Sequence, residues 1–206
     1  MPYSDFDIKK VKSVFNLDII EHESLFSNAE DIEISDSLSE ILKQNVPLAL
    51  AIGTEKASSE LIIINILLEL KRKLNISFFS GIDFNVDKEK GLNGYCDFIL
   101  SKSPEQLFLD VPVIAVVEAK NERIVSGLGQ CIAEMIAAKI YNQREGRVMS
   151  SIYGAVTTGH AWKFLKLQEQ IVYIDIEDYY IKNPQKIVGI LMNMIETSAV
   201  QENADA

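Results

Sequence analysis

Residues 111–122 read VPVIAVVEAKNE. Apolar residues run almost unbroken from Val111 to Val117, then give way to Glu118, Ala119 and Lys120. With the turn-like stretch SKSPEQ before it, the segment VIAVVEA predicts a core strand over 113–119. An acid and a base at the end of such a strand are costly to bury unless they pair or bind something.

The segments around this strand set the architecture. Upstream lie two stretches of strand character, ISFFSGIDFNV and YCDFIL, separated by the turn signal DKEKGLNG. Before them comes the longest helix candidate, TEKASSELIIINILLELKRKLN, with Thr54 as its N-cap. Downstream, a helix GLGQCIAEMIAAKIYNQ precedes strands IYGAVTT, AWKFLKL and IVYIDI. A closing helix, PQKIVGILMNMIETS, starts with Pro184 near its first turn. This order predicts an α/β sandwich around a mixed sheet rather than a regularly alternating parallel fold.

The first 50 residues read as short helices joined by polar loops. Ile8, Val11 and Phe15 have helical spacing, and Ser37 and Glu40 have capping-box spacing. With no internal repeat and no low-complexity linker, residues 1–206 are expected to form one domain. It would comprise a helical N-terminal extension (1–49), a core (50–180) and a C-terminal helix and tail (181–206).

The chain of 206 residues carries a formal charge of −10, against the basic footprint of a general nucleic-acid binder. The acidity is peripheral. Residues 1–50 hold ten acids and four bases, and the tail adds Glu196, Glu202 and Asp205, whereas 51–191 balance to within one charge. Cys96 and Cys131 form neither a disulfide framework nor a CxxC pattern. The apolar runs are too short to span a bilayer, and MPYSDFDIKK lacks the apolar stretch of a signal peptide. A soluble cytoplasmic protein without membrane contact is expected.

An acid, any residue and a lysine occur together at Asp7–Lys9, Glu69–Lys71 and Glu118–Lys120. On a helix, residues two apart diverge by about 200°, whereas on a strand they share a face. Only Glu118 and Lys120 are therefore able to act side by side. Asp97 interrupts the apolar strand YCDFIL and could meet Glu118 if the two strands are neighbours. Two hard carboxylates repel unless a cation sits between them, and Mg²⁺ suits such a site because it takes oxygen ligands and keeps several waters. A helical wheel at about 100° per residue puts Glu60 at the centre of a stripe with Ile63, Ile64 and Leu67, and puts Glu55 and Glu69 on the polar side. Glu60 is thus the expected third acid. Gln130, ten residues after Lys120, could reach the same cleft. It forms a polar strip with Glu134 and Tyr141.

Helix Glu60, strand Asp97, strand Glu118-Ala119-Lys120 and helix Gln130, in that order, resemble the PD-(D/E)XK nuclease superfamily. The resemblance covers roughly residues 50–180, and AVTTGHAWKFLKL is similar to a stretch of some restriction-related members. Cys96 stands where the proline of the motif would be, and Glu134 where many members have tyrosine. The resemblance implies a restriction-endonuclease-like αβββαβ core and a nuclease hydrolysing phosphodiester bonds. Asp97, Glu118 and the carbonyl of Ala119 would hold Mg²⁺, with Mn²⁺ as a substitute. Glu60 would anchor a second metal or bind the first through water. Lys120 would orient the attacking water, and Gln130 would brace the site or touch the backbone of the nucleic acid. DNA is the expected partner and a homodimer the expected assembly.

Plainer readings compete. Glu118–Lys120 alone would be a strand-end ion pair, Glu60 a salt bridge to Lys56, and Gln130 with Glu134 a solvated helix edge. His160 reads as a structural or solvated loop residue, Trp162 as core, and Cys96 as packing. For the whole protein, the alternatives are a noncatalytic nuclease-fold binding module and a metal-dependent enzyme acting on a small phosphate. The nuclease reading leaves Lys71, Arg72, Lys73, Lys88, Lys90, Arg144 and Arg147 to line a cleft.

Overall fold

The computed structural model describes residues 2–21, 23–121 and 123–199. Glu202 and Asp205 of the acidic tail lie outside them. A 3₁₀ turn, Tyr3–Asp5, leads to α1 (Ile8–Phe15), β1 (Asp18–Ile20) and α2 (Asp36–Ile52). The next helical run has three parts: α3 (Glu55–Ser58), a π-turn (Ser59–Ile63) and α4 (Ile64–Lys73). Strands β2 (Ser77–Asp83), β3 (Tyr95–Ser101) and β4 (Val113–Ala119) precede α5 (Ile124–Arg144). Then come β5 (Ile152–Thr157), β6 (Ala161–Gln168), β7 (Ile171–Ile174), β8 (Tyr179–Tyr180) and α6 (Pro184–Thr197).

The chain is an α/β protein with a mixed eight-stranded sheet, in the order β1-β7-β6-β5-β4-β3-β2, with β8 also on β6. β4 pairs parallel with β5 and antiparallel with β3. Every residue of β4 is buried, which requires cover on both faces. Alternation along β5 identifies the covers. A Cβ on Gly154 would strike Met135 and Cys131 of α5, while the neighbouring Tyr153 hydroxyl lies 3.0 Å from Thr197 of α6. The two helices therefore take opposite faces. α2 and α4 join α6 on its side, and α1 lies against the back of α5.

The closeness of α1 to α5 depends on Gly129, since a Cβ there would fall inside the backbone of Asp7. α5 has the length and hydropathy of a membrane-spanning helix, but burial between α1 and the sheet accounts for that apolarity. Thr54 caps α3 by accepting from the Ala57 amide at 3.1 Å, and Pro184 opens α6.

Four expectations need correction. The N-terminal 50 residues are not only helical, because β1 adds an edge strand to the sheet beside β7. α2 also runs continuously through position 49/50. Its cap is Ser35, not Ser37. The Ser35 hydroxyl accepts from the Leu38 amide at 3.2 Å and donates to Glu69 at 2.8 Å. Glu69, expected on the polar side of its helix, is buried as the acceptor of Ser35.

Candidate functional site

The register of β3 against β4 pairs Phe98 with Val117, so the next position sets Asp97 opposite Glu118. The Asp97 carboxylate accepts the Ala119 backbone N–H at 2.8 Å. Lys120 follows the last residue of β4 and donates its amide to the Thr157 carbonyl at 2.8 Å. Its ammonium reaches back to Glu118 Oε1 in a close ion pair. The same Nζ lies 3.3 Å from Gln130 Oε1, and Gln130 Nε2 donates to Glu134 Oε1 at 3.1 Å. Five side chains from two strands, one strand end and one helix thus form a chain: Asp97 beside Glu118, then Lys120, Gln130 and Glu134.

Gly127 makes room for Lys120. A Cβ there would lie 2.9 Å from Lys120 Cγ and 2.7 Å from Val156 Cγ1. The lysine stem therefore packs along the start of α5 with its ammonium directed into the acid cluster.

Burial dominates the electrostatics. The Glu118 carboxyl is pushed up to about 8 by loss of solvent, with Asp97 adding to the rise and Lys120 opposing it. Glu134 is raised well above the ordinary carboxyl range, first by burial and then by Glu118. Burial alone would lower the Lys120 ammonium, but Glu118, Glu55 and Asp97 outweigh it and hold it above its usual value. Among the described residues, Glu118 Oε2 and Glu134 Oε2 are buried without a hydrogen-bond partner. Such orphaned oxygens call for a proton or a ligand.

Asp97, Glu118, Lys120 and Gln130 meet as expected from the sequence, but Glu60 does not join them. Its side chain is 64% exposed and lies 3.8 Å from Lys56. From the π-turn onward the buried residues are Ile62, Ile63, Ile66, Leu67, Glu69 and Leu70, so the stripe centres near Ile63 and Ile66. At about 100° per residue, Glu60 falls roughly 90° away from that centre. Glu55, expected on the polar side, is the acid of this helix that acts on Lys120.

Glu134 is no solvated edge, since it is fully buried. Tyr141 leaves the strip and donates to the Leu109 carbonyl at 2.9 Å. Four of the seven cations expected to line a cleft are paired with acids. Arg72 and Lys73 pair with Glu69, and Lys90 and Arg144 with Asp87. His160 is exposed, while Trp162 and Cys96 are buried.

Among the described residues, no group of three or more His, Cys, Asp or Glu side chains is arranged to hold a metal ion. The donors that do meet are two carboxylates, Asp97 and Glu118, one with an orphaned oxygen. That pair suits a hard cation that keeps several of its waters, as Mg²⁺ does. No protein-family model and no curated protein matches the chain.

Proposed function

We propose that the chain is a Mg²⁺-dependent nuclease with a restriction-endonuclease-like αβββαβ core, hydrolysing phosphodiester bonds in DNA in the cytoplasm. The observation that carries this reading is the meeting of Asp97, Glu118, Lys120 and Gln130 at the adjoining ends of β3, β4 and α5. Asp97, Glu118 and the Ala119 carbonyl would hold the ion, with Mn²⁺ as a substitute. Bound there, the ion supplies Lewis-acid stabilisation of charge on the phosphate.

The protein's own groups do the rest. Lys120, anchored through its stem at Gly127 and its amide at Thr157, brings an ammonium to the scissile phosphate and orients the attacking water. Gln130 holds that ammonium in place from α5, and Glu134 fixes the Gln130 amide so that its oxygen faces Lys120. The shared burial of these groups strengthens each electrostatic contact.

A second reading, a noncatalytic nuclease-fold module that binds a macromolecular partner, is favoured by one observation. Lys120 is already engaged by Glu118, and Arg72, Lys73, Lys90 and Arg144 are paired with acids. Of the seven cations expected to line a cleft, only Lys71, Lys88 and Arg147 are without an ion pair among the described residues. Incubating plasmid and single-stranded DNA with Mg²⁺ or Mn²⁺ separates the two. Cleavage that disappears in both Lys120→Ala and Asp97→Asn supports the nuclease, and equal background in all three proteins supports the binding module.

A further inference from the structure

Most tyrosines of the chain are tied into the fold. Tyr3, Tyr141, Tyr153 and Tyr179 anchor their hydroxyls by hydrogen bonds to the Phe84 carbonyl, the Leu109 carbonyl, Thr197 and Asp175. Tyr180 lies against the His160 ring at 5.8 Å. Tyr95, at the first position of β3, has neither kind of partner among the described residues and is 67% exposed. Leaving so large a ring in water forgoes the gain of burying it.

Tyr95 stands two residues before Asp97, so the two side chains share the face of the sheet that carries Glu118. They lie about 7 Å apart along the strand. Because β3 runs antiparallel to β4, Tyr95 marks the end at which Lys120 leaves β4 and α5 begins. Beyond Lys120, Val125 in the first turn of α5 is 60% exposed. The Asp97–Glu118–Lys120 cluster thus has an aromatic side chain on its β3 flank and an apolar one on its α5 flank.

The charges here are mostly negative. Asp83 is the cross-strand partner of Tyr95, Glu55 acts on Lys120, and Lys120 is itself paired with Glu118. In a chain of net charge −10, phosphate contacts alone supply little affinity. Duplex DNA carries one negative charge per roughly 1.7 Å and a single strand one per roughly 3.4 Å. An unpaired strand is therefore repelled less, and it also offers its base faces, which an aromatic ring holds by stacking. We propose that Tyr95 stacks the base next to the phosphate held at Asp97 and Glu118, so that the site takes unpaired DNA rather than relaxed duplex. The inference rests on the nuclease reading for where that phosphate lies. Supercoiled plasmid remains a substrate, since negative supercoiling favours local opening of the duplex.

Fluorescence anisotropy of the full chain in Ca²⁺, an oxygen-ligand cation like Mg²⁺, tests it with oligothymidylate, an abasic strand of equal length and linear duplex. Oligothymidylate should bind at least roughly tenfold tighter than either of the others. Tyr95→Ala should lose roughly fivefold or more on oligothymidylate and nothing on the abasic strand, while Tyr95→Phe stays within about twofold of the wild type. The ring is exposed, so the fold should survive, and an unchanged melting temperature would verify this. In Mg²⁺ the wild type should cut supercoiled plasmid faster than the same plasmid relaxed. Equal binding of the abasic strand or the duplex would overturn the proposal, as would undiminished affinity in Tyr95→Ala or equal rates on the two plasmid forms. Tyr95-dependent binding without cleavage of any DNA would support the stacking role and contradict the nuclease reading instead.

Discussion

The carboxylate of Asp97 accepts the backbone N–H of Ala119 at 2.8 Å, tying the acid of β3 to the residue between Glu118 and Lys120. Asp97 thus has a structural duty separable from its charge. Asp97→Asn keeps an acceptor oxygen and should melt within a few degrees of the wild type. Asp97→Ala orphans the Ala119 amide and should cost ~1–3 kcal/mol. Denaturant unfolding of the two variants side by side checks this, and equal stabilities would deny the hydrogen bond its role.

Gly127 and Gly129 should respond differently to a methyl group. At Gly127 the clash is with the Lys120 stem, which is able to shift, and with the buried side chain of Val156. Gly127→Ala should therefore cost about 1–3 kcal/mol while displacing the Lys120 ammonium. Gly129→Ala meets the backbone of Asp7 and Phe6 and has to push the N-terminal segment off α5. Its loss should be the larger, accompanied by faster proteolysis within residues 2–15.

The buried acids should act on stability in opposite directions. Burial would raise the Glu69 carboxyl, but hydrogen bonds from Ser35 and the charge of Lys73 overcome this and hold it below its usual value. Its stabilisation is therefore present above the unfolded carboxyl pKa and lost as pH falls through the lower folded value. Glu118 and Glu134 are raised, so the folded state retains protons that the unfolded state releases. In the metal-free protein that contribution is complete below about pH 4.3 and declines as pH rises toward about 8, where Glu118 itself ionises. Glu134→Gln should flatten the decline and raise the melting temperature at pH 8 in EDTA. An unchanged pH profile would remove Glu134 from the account.

Glu69 should matter more to the fold than Glu60. Glu69→Ala orphans the Ser35 amide and hydroxyl and should cost ~1–3 kcal/mol. Glu60→Ala removes one exposed helix pair and should change stability by less than about 0.5 kcal/mol. Thermal unfolding of the two variants decides between them.

Much of the site was legible because strand periodicity is rigid. A spacing of two fixed Glu118 and Lys120 on one face, and the polar residue inside YCDFIL marked Asp97 as its partner. The helical acids were harder to place, since a stripe drawn through Ile63, Ile64 and Leu67 leaves out Ile62, Ile66 and Leu70 and so rotates its centre onto Glu60. The π-turn over Ser59–Ile63 further disturbs a regular wheel. Glu134 carried a readable signal, lying in CIAEMIAA with apolar neighbours on every side, but its burial depends on β3, β4 and the turn at Tyr3, all distant in sequence. β1 gave no local signal of its own, because three residues at a sheet edge owe their conformation to pairing with β7.

The most direct test of the central claim is the single-turnover rate of supercoiled plasmid cleavage in Mg²⁺ for wild type, Asp97→Asn, Lys120→Ala and Glu60→Ala. The account predicts cleavage by the wild type, a loss of at least 100-fold (~2.7 kcal/mol in the barrier) in Asp97→Asn and Lys120→Ala, and a rate within about twofold for Glu60→Ala. Cleavage that persists in Lys120→Ala, or that is lost in Glu60→Ala while both others remain active, would contradict it.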